Sequence, residues 1–172
     1  MRNLIKKAKL FATNAHAEVQ QVRKYTGKPY IVHPASVASI VSSVTRSENL
    51  IALAWLHDTV EDTKVSLGDI DNEFGNEVMQ LVESLTDTSK PEDGNRKMRK
   101  EIDRQHLRLA SQGAKTVKLA DLIDNSKSII EHGKSFAPIF IQEMSLLLEV
   151  LKEGDQKLFK QAEAIVYEYQ KS

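Results

Sequence analysis

The sequence predicts an all-α fold, a single helical bundle spanning residues 1–172. Three observations lead there. Apolar residues recur three and four apart almost throughout, no pair of alternating segments makes a convincing hairpin, and neither internal repeats nor low-complexity tracts interrupt the pattern. With 172 residues, 41% of them hydrophobic, the chain can bury one sizeable core and has little room for a second.

Ile5, Ala8, Ala12, Ala15 and Val19 mark an amphipathic first helix, which Gly27 and Pro29 in KYTGKPY separate from the next. Pro34 sits near the start of a second helix, where a missing donor is tolerated, with Val37, Ile40, Val41 and Val44 on one face. Ser47 is placed to cap a third segment, LIALAWLHDTV, which is apolar around most of its surface and is expected at the centre of the bundle. Ser66 and Asp69 form a capping-box pattern before DIDNEF, and Gly75 stops that helix. Asn76 is placed to cap NEVMQLVESL, with Val78, Leu81, Val82 and Leu85 toward the core. TDTSKPEDGNRK is the clearest loop and is expected to form a mobile cover near the site. A charged helix should run from it to Gly113, followed by TVKLADLIDNSKSII and by a helix from about Pro138 to Glu153. A last helix carries Leu158, Ala162, Ile165 and Tyr169.

Composition excludes several function classes. Lys+Arg and Asp+Glu are both 24, so the basic excess of a nucleic-acid or membrane-surface binder is missing, and neither partner is expected. With no cysteine, disulfides, thiolate metal sites and cysteine nucleophiles are ruled out, and any metal must be held by imidazole and carboxylate. The N-terminus lacks the unbroken apolar stretch of a signal peptide, and no window is long enough for a membrane span, so a cytoplasmic location is expected.

The chemistry-bearing residues gather in few places. His57 and Asp58 end the most apolar helix; a solvated helix end would explain them, and so would a divalent cation offsetting the burial of both. Glu61 and Asp62 follow four residues after each, and one more helical turn would aim all four toward one region. Lys118, Asp121, Asn125 and Ser128 share one face of an otherwise apolar helix, where Leu119, Leu122, Ile123 and Ser126 leave only a narrow polar stripe. Such a stripe suits a polar site inside a bundle, where metal sites are built from facing helices. His33 opens another helix after an apolar run. His16, His106 and His132 stand in polar, surface-like settings and are read as structural.

RKYTGKPYIVHP, AWLHDTVEDT, FGNEVMQLVESLTD and KTVKLADLIDN together resemble the hydrolase domain of the RelA/SpoT alarmone enzymes, and in size the chain is similar to the stand-alone small alarmone hydrolases. The match runs in family order from about Arg23 to Ser128 and implies an HD-type helical domain with its metal between central helices. It implies His33, His57, Asp58 and Asp121 as ligands of one divalent ion, usually Mn2+. Glu61 and Asp62 match the catalytic acidic pair, Arg23 and Lys24 the basic residues lining the substrate site, and Asn125 and Ser128 the substrate contacts after the last ligand. The implied reaction is hydrolysis of the 3′-pyrophosphate of (p)ppGpp-like nucleotides, releasing pyrophosphate; synthesis of alarmone is not expected from a chain of this length.

Three departures accompany the resemblance. Leu122-Ile123-Asp124 replaces a run in which the family carries a basic residue and then an aromatic or His. The KYTG turn is one residue longer than in the long enzymes. No substrate-binding basic residue matches beyond Ser128, where Lys134 is a candidate by charge alone. The first departure motivates an alternative substrate, another phosphorylated nucleotide such as (p)ppApp or NADPH. A third reading, a metal-bound nucleotide sensor without turnover, has the same site. An oligomer is compatible with all three.

Overall fold

The computed structural model describes residues 2–171. Its helices are α1 (Arg2–Glu18), α2 (Val32–Ser42), α3 (Glu48–Leu56), α4 (Thr59–Asp62), α5 (Leu67–Phe74), α6 (Asn76–Leu85), α7 (Arg96–Arg108), α8 (Gln112–His132), α9 (Ala137–Leu148) and α10 (Gln156–Lys171), with a 3-10 turn at Pro91–Asp93. No strand forms among the described residues beyond one isolated bridge, Val22 to Pro29. No helix among them is long and apolar enough to cross a membrane.

α3 is the centre, as its all-round apolarity requires: every residue from Ile51 to Leu56 is buried. It packs on α1, α2, α6 and α8, and α8 carries α9 and α10 on its other side. Removing Leu53, Leu56, Leu119 or Ile123 from water contributes about 1.5–3 kcal/mol each.

Local signals behave as their chemistry dictates. The Ser47 side chain accepts from the Leu50 amide, the Ser66–Asp69 capping box is formed in both directions, and Gly75 takes φ 84 after α5. Three expectations need correction. Asn76 is not a cap: Gly75 holds that position, and Asn76 is the first helical residue. The charged helix ends at Arg108 rather than Gly113, because Ser111 caps α8 through the Ala114 amide and Gly113 lies inside it. α9 stops at Leu148, short of Glu153.

α3 also does not run on through its polar end. It stops at Leu56, Asp58 takes φ −99 and ψ −3, and a separate short helix restarts at Thr59. The Thr59 hydroxyl donates to the Leu56 carbonyl at 2.7 Å and closes this step. The break is what turns His57 and Asp58 toward α8. Similarly, Gln20 ends α1 in the left-handed region (φ 53), so that the Gln21 amide folds back onto the His16 carbonyl.

Candidate metal centre

α2 contributes His33 from its first turn, the α3–α4 step contributes His57 and Asp58, and the middle of α8 contributes Asp121. His33 Nε2 lies 3.1 Å from Asp121 Oδ1 and 3.6 Å from Asp58 Oδ2. His57 Nε2 lies 3.0 Å from Asp58 Oδ2 and 3.7 Å from Asp121 Oδ1. The candidate ligand atoms of His33, His57 and Asp58 all fall within 4.8 Å of one another.

Each imidazole is oriented from behind. His57 Nδ1 faces the Ala54 carbonyl at 2.9 Å, and His33 Nδ1 faces Asp124 Oδ2 at 2.7 Å. With Nδ1–H engaged, the lone pair of each Nε2 points at two carboxylates, and both Nε2 atoms are buried without a hydrogen-bond partner. That arrangement needs positive charge. Burial pulls both histidines down, but the carboxylates outweigh it: His33 ends raised, and His57 well above the ordinary range. Burial pushes Asp58 and Asp121 up, yet His57 for the first and Lys118 with both histidines for the second hold them low. Two imidazoles and two carboxylates converging in this way fit a divalent cation.

The remaining hydrogen-bonding capacity of the carboxylates is used by neighbours. Tyr30 donates to Asp58 Oδ2 at 2.6 Å, Lys118 Nζ lies 2.8 Å from Asp121 Oδ2, and Asn125 Nδ2 donates to Asp121 Oδ1 at 2.6 Å. Burial and the Asp58 charge push the Tyr30 phenol far up, so it stays a donor. Ser128 accepts from Arg23 at 3.2 Å, and Arg23 lies over the Tyr30 ring. The bridge and the turn around Gly27 (φ 65) hold Arg23 there, its amide donating to the Lys28 carbonyl at 2.8 Å.

The acidic pair on α4 lies on the rim. Glu61 Oε1 accepts from the Asp87 amide at 2.6 Å, and Asp62 Oδ2 from Gln21 Nε2 at 2.8 Å. Desolvation of its carboxyl, then the Asp87 charge, push Glu61 up to about 7; the side chain still reaches solvent, which tempers the shift. Asp62 is raised by burial and by Asp58.

Of the residues expected from the sequence, the structure brings together His33, His57, Asp58, Asp121, Asn125, Ser128 and Arg23, with Glu61 and Asp62 beside them. Lys24 is the exception. It is exposed, and its Nζ lies over the Tyr25 and Phe136 rings at the outer edge. His16 is no surface residue, being only 2% exposed; its Nδ1 bonds Gln21 Oε1 at 2.6 Å behind Asp62, and burial lowers its pKa. Tyr30 and Gln21 were missed, although Tyr30 stands three residues before His33 in the same quoted segment. Asp124 belongs to the departure that motivates another substrate. Instead it holds His33 and also accepts from the Ser36 hydroxyl, while Leu122 is buried in the core.

Comparison with known proteins identifies the family. A guanosine-3′,5′-bis(diphosphate) 3′-pyrophosphohydrolase of Mus musculus, MESH1, is 40% identical over 118 residues, 67% of this chain and 64% of its own. A probable enzyme of the same name from Synechocystis is 44% identical over 87 residues, 51% of this chain and 11% of its own. The chain thus spans less than two thirds of the length of these curated relatives. The solved structure of a metazoan SpoT orthologue that hydrolyses ppGpp superposes with a TM-score of 0.87 at 25% identity, covering 97% of this chain and 96% of that one. The HD domain model matches residues 8–137, an interval that encloses every side chain of the site, and the chain belongs to the HD domain family.

Proposed function

We propose that residues 1–172 form one metal-dependent phosphohydrolase domain that hydrolyses the 3′-pyrophosphate of (p)ppGpp-like nucleotides with Mn2+, in the cytoplasm. The observation that carries the reading is the pair of buried, unpartnered Nε2 atoms facing Asp58 and Asp121, with two further carboxylates on the adjoining rim. The likeness to MESH1 and to the metazoan SpoT orthologue supports the substrate class.

In this reading His33, His57, Asp58 and Asp121 would hold the ion, which would neutralise charge at the phosphate and make water more acidic there. Glu61, raised toward neutrality, takes a proton from the attacking water as the bond from phosphorus to the 3′ oxygen breaks. Asp62, held by Gln21, is the second member of the acidic pair and passes the proton on to the departing 3′ oxygen, which leaves as a hydroxyl. Arg23 neutralises phosphate charge, kept in place by Ser128 and Tyr30. Asn125 and Ser128 line the same face of α8 and contact the nucleotide, and Lys24 serves the outer edge. Water enters and a 5′-nucleotide and pyrophosphate leave, so the bonds balance without a co-reactant.

Purified protein loaded with Mn2+ and mixed separately with ppGpp, ppApp and NADPH tests the reading through the product. Pyrophosphate from an alarmone is the expected result. Orthophosphate from NADPH alone would transfer the same metal centre to the alternative substrate, and binding of ppGpp without turnover would make the protein a sensor.

A further inference from the structure

We propose that Asp103 is a positioning residue that fixes Glu61 through the loop between α6 and α7. The inference rests on the reading of Glu61 as the acid–base carboxylate.

α7 is a charged helix whose polar side chains mostly face water, yet Asp103 is only 7% exposed. Both its oxygens are used. Oδ1 accepts from the Thr88 amide at 3.0 Å and the Ser89 amide at 2.8 Å, and Oδ2 from the Ser89 hydroxyl at 2.9 Å. The next amide upstream, that of Asp87, donates to Glu61 Oε1 at 2.6 Å. Three consecutive backbone N–H groups are therefore divided between two carboxylates, one for Glu61 and two for Asp103. Because peptide units are planar, anchoring the second and third leaves only the φ and ψ of Asp87 to decide where the first points. Lys100 completes the attachment, with its Nζ 2.8 Å from Asp87 Oδ2 and 3.9 Å from Asp103 Oδ2.

The arrangement answers a need of Glu61. An exposed glutamate has several side-chain torsions to lose on being held, and a general base must be held within hydrogen-bond reach of its proton. α4 is too short to restrain it, being a single turn. The loop does so from the opposite side, and Asp103 is what keeps the loop there. The segment expected to be a mobile cover is instead fastened to α7 at Thr88 and Ser89 and placed against the acidic rim.

The test uses the full chain with Mn2+ and ppGpp. Asp103→Ala should lower kcat about 10- to 100-fold, the range for misplacing a catalytic group by about 1 Å, with KM and Mn2+ affinity within about threefold. Asp103→Asn should recover most of the rate, since its Oδ1 still accepts both amides and its Nδ2 can donate to the Ser89 oxygen. In a Glu61→Gln background, Asp103→Ala should add less than about twofold, because the two act through one group. Hydrogen exchange at the Asp87 amide, read without substrate, should quicken about tenfold or more in Asp103→Ala. Wild-type kcat in Asp103→Ala, full additivity with Glu61→Gln, or unchanged Asp87 exchange would each overturn the proposal. If the alanine variant unfolds, Ser89→Ala removes one bond alone and should cost a smaller, twofold to fivefold part of kcat; no loss there also overturns it. Wild-type protein inert toward ppGpp defeats the functional reading only, and the Asp87 exchange then still decides whether Asp103 holds the loop.

Discussion

Replacing Asp124 by alanine removes the group that orients His33 without touching any candidate ligand atom. In the intact protein the Asp124 carboxylate meets His33 Nδ1 at 2.7 Å, and Ser36 holds it from the other side. Without it the imidazole loses both the preference for its Nδ1–H tautomer and the restraint on its ring plane. Carboxylates behind ligating histidines typically account for 10- to 100-fold in metal affinity, or about 1.4–2.7 kcal/mol. The range for a charged hydrogen bond, about 1.5–3 kcal/mol, gives the same answer independently. Asp124→Asn keeps an acceptor and loses the charge, and a neutral bond is about half as strong, so it should lose only about 3- to 10-fold. Calorimetric titration of metal-free protein with Mn2+ measures both, with thermal melts of the metal-free forms as the control for folding. A wild-type affinity in Asp124→Ala would refute the argument, because His33 would then be set by packing alone.

Three further predictions follow from contacts elsewhere. Gln21→Leu breaks the His16–Gln21–Asp62 chain and should lower ppGpp turnover about tenfold while leaving Mn2+ affinity unchanged; initial rates at the wild-type level would show that Asp62 needs no such support. Gly154→Ala would set a Cβ 2.7 Å from Leu119 Cδ1 and 3.3 Å from the backbone of Lys115, with Leu119 itself fully buried. The overpacking should cost about 1–3 kcal/mol and lower Tm by roughly 2–12 °C, and an unchanged Tm would mean α8 and the α9–α10 turn have room to part. Finally, in the metal-free protein the carboxylates overcome the burial of His33 and His57 and raise both, so each holds its proton more tightly than a free imidazole. A ligand must release that proton, so Mn2+ affinity should rise with pH and fall as pH drops, with protons released on binding. Titrations in buffers of different ionisation enthalpy measure the release, and affinity constant between about pH 6 and 8 would refute it.

Much of the fold was legible because its signals are local. The all-round apolar run of α3, the Ser47 cap, the Ser66–Asp69 box and the Gly75 stop each act within one helix turn, and each lies where the sequence placed it. The errors have the same origin in reverse. Gly113 reads as a stop signal, but it lies beside Leu50, where an added Cβ would come within 2.7 Å of that side chain, so it is a close-packing glycine inside α8. Asn76 is a good cap residue that Gly75 displaces by taking the turn conformation first. Which role a residue plays there depends on a neighbour far away in the chain or on a φ angle, and neither is written in composition.

The site divides along the same line. Most of the residues that converge on the centre occur in two compact segments, HDTVED and KLADLIDNS, which type and spacing single out, whereas His33 and Arg23 stand apart from both and enter with the family resemblance. Lys118, Asn125 and Ser128 share the helix face of Asp121, but the residues that hold the site from other elements could not be picked out. Asp124 lies 91 residues from His33, Asp62 lies 41 from Gln21, and Ser89 lies 14 from Asp103. No periodicity links such partners, and each looks like an ordinary solvent-facing residue until the helices are packed. Asp124 is the instructive case. As a residue type it belongs to the departure from the family run that motivates another phosphorylated nucleotide as substrate. Its carboxylate in fact meets His33 Nδ1 and the Ser36 hydroxyl, on the far side of the imidazole from Asp58 and Asp121. A negative group behind a ligand and a negative group in front of a substrate are the same letter in a sequence, and only the direction of the side chain decides between them.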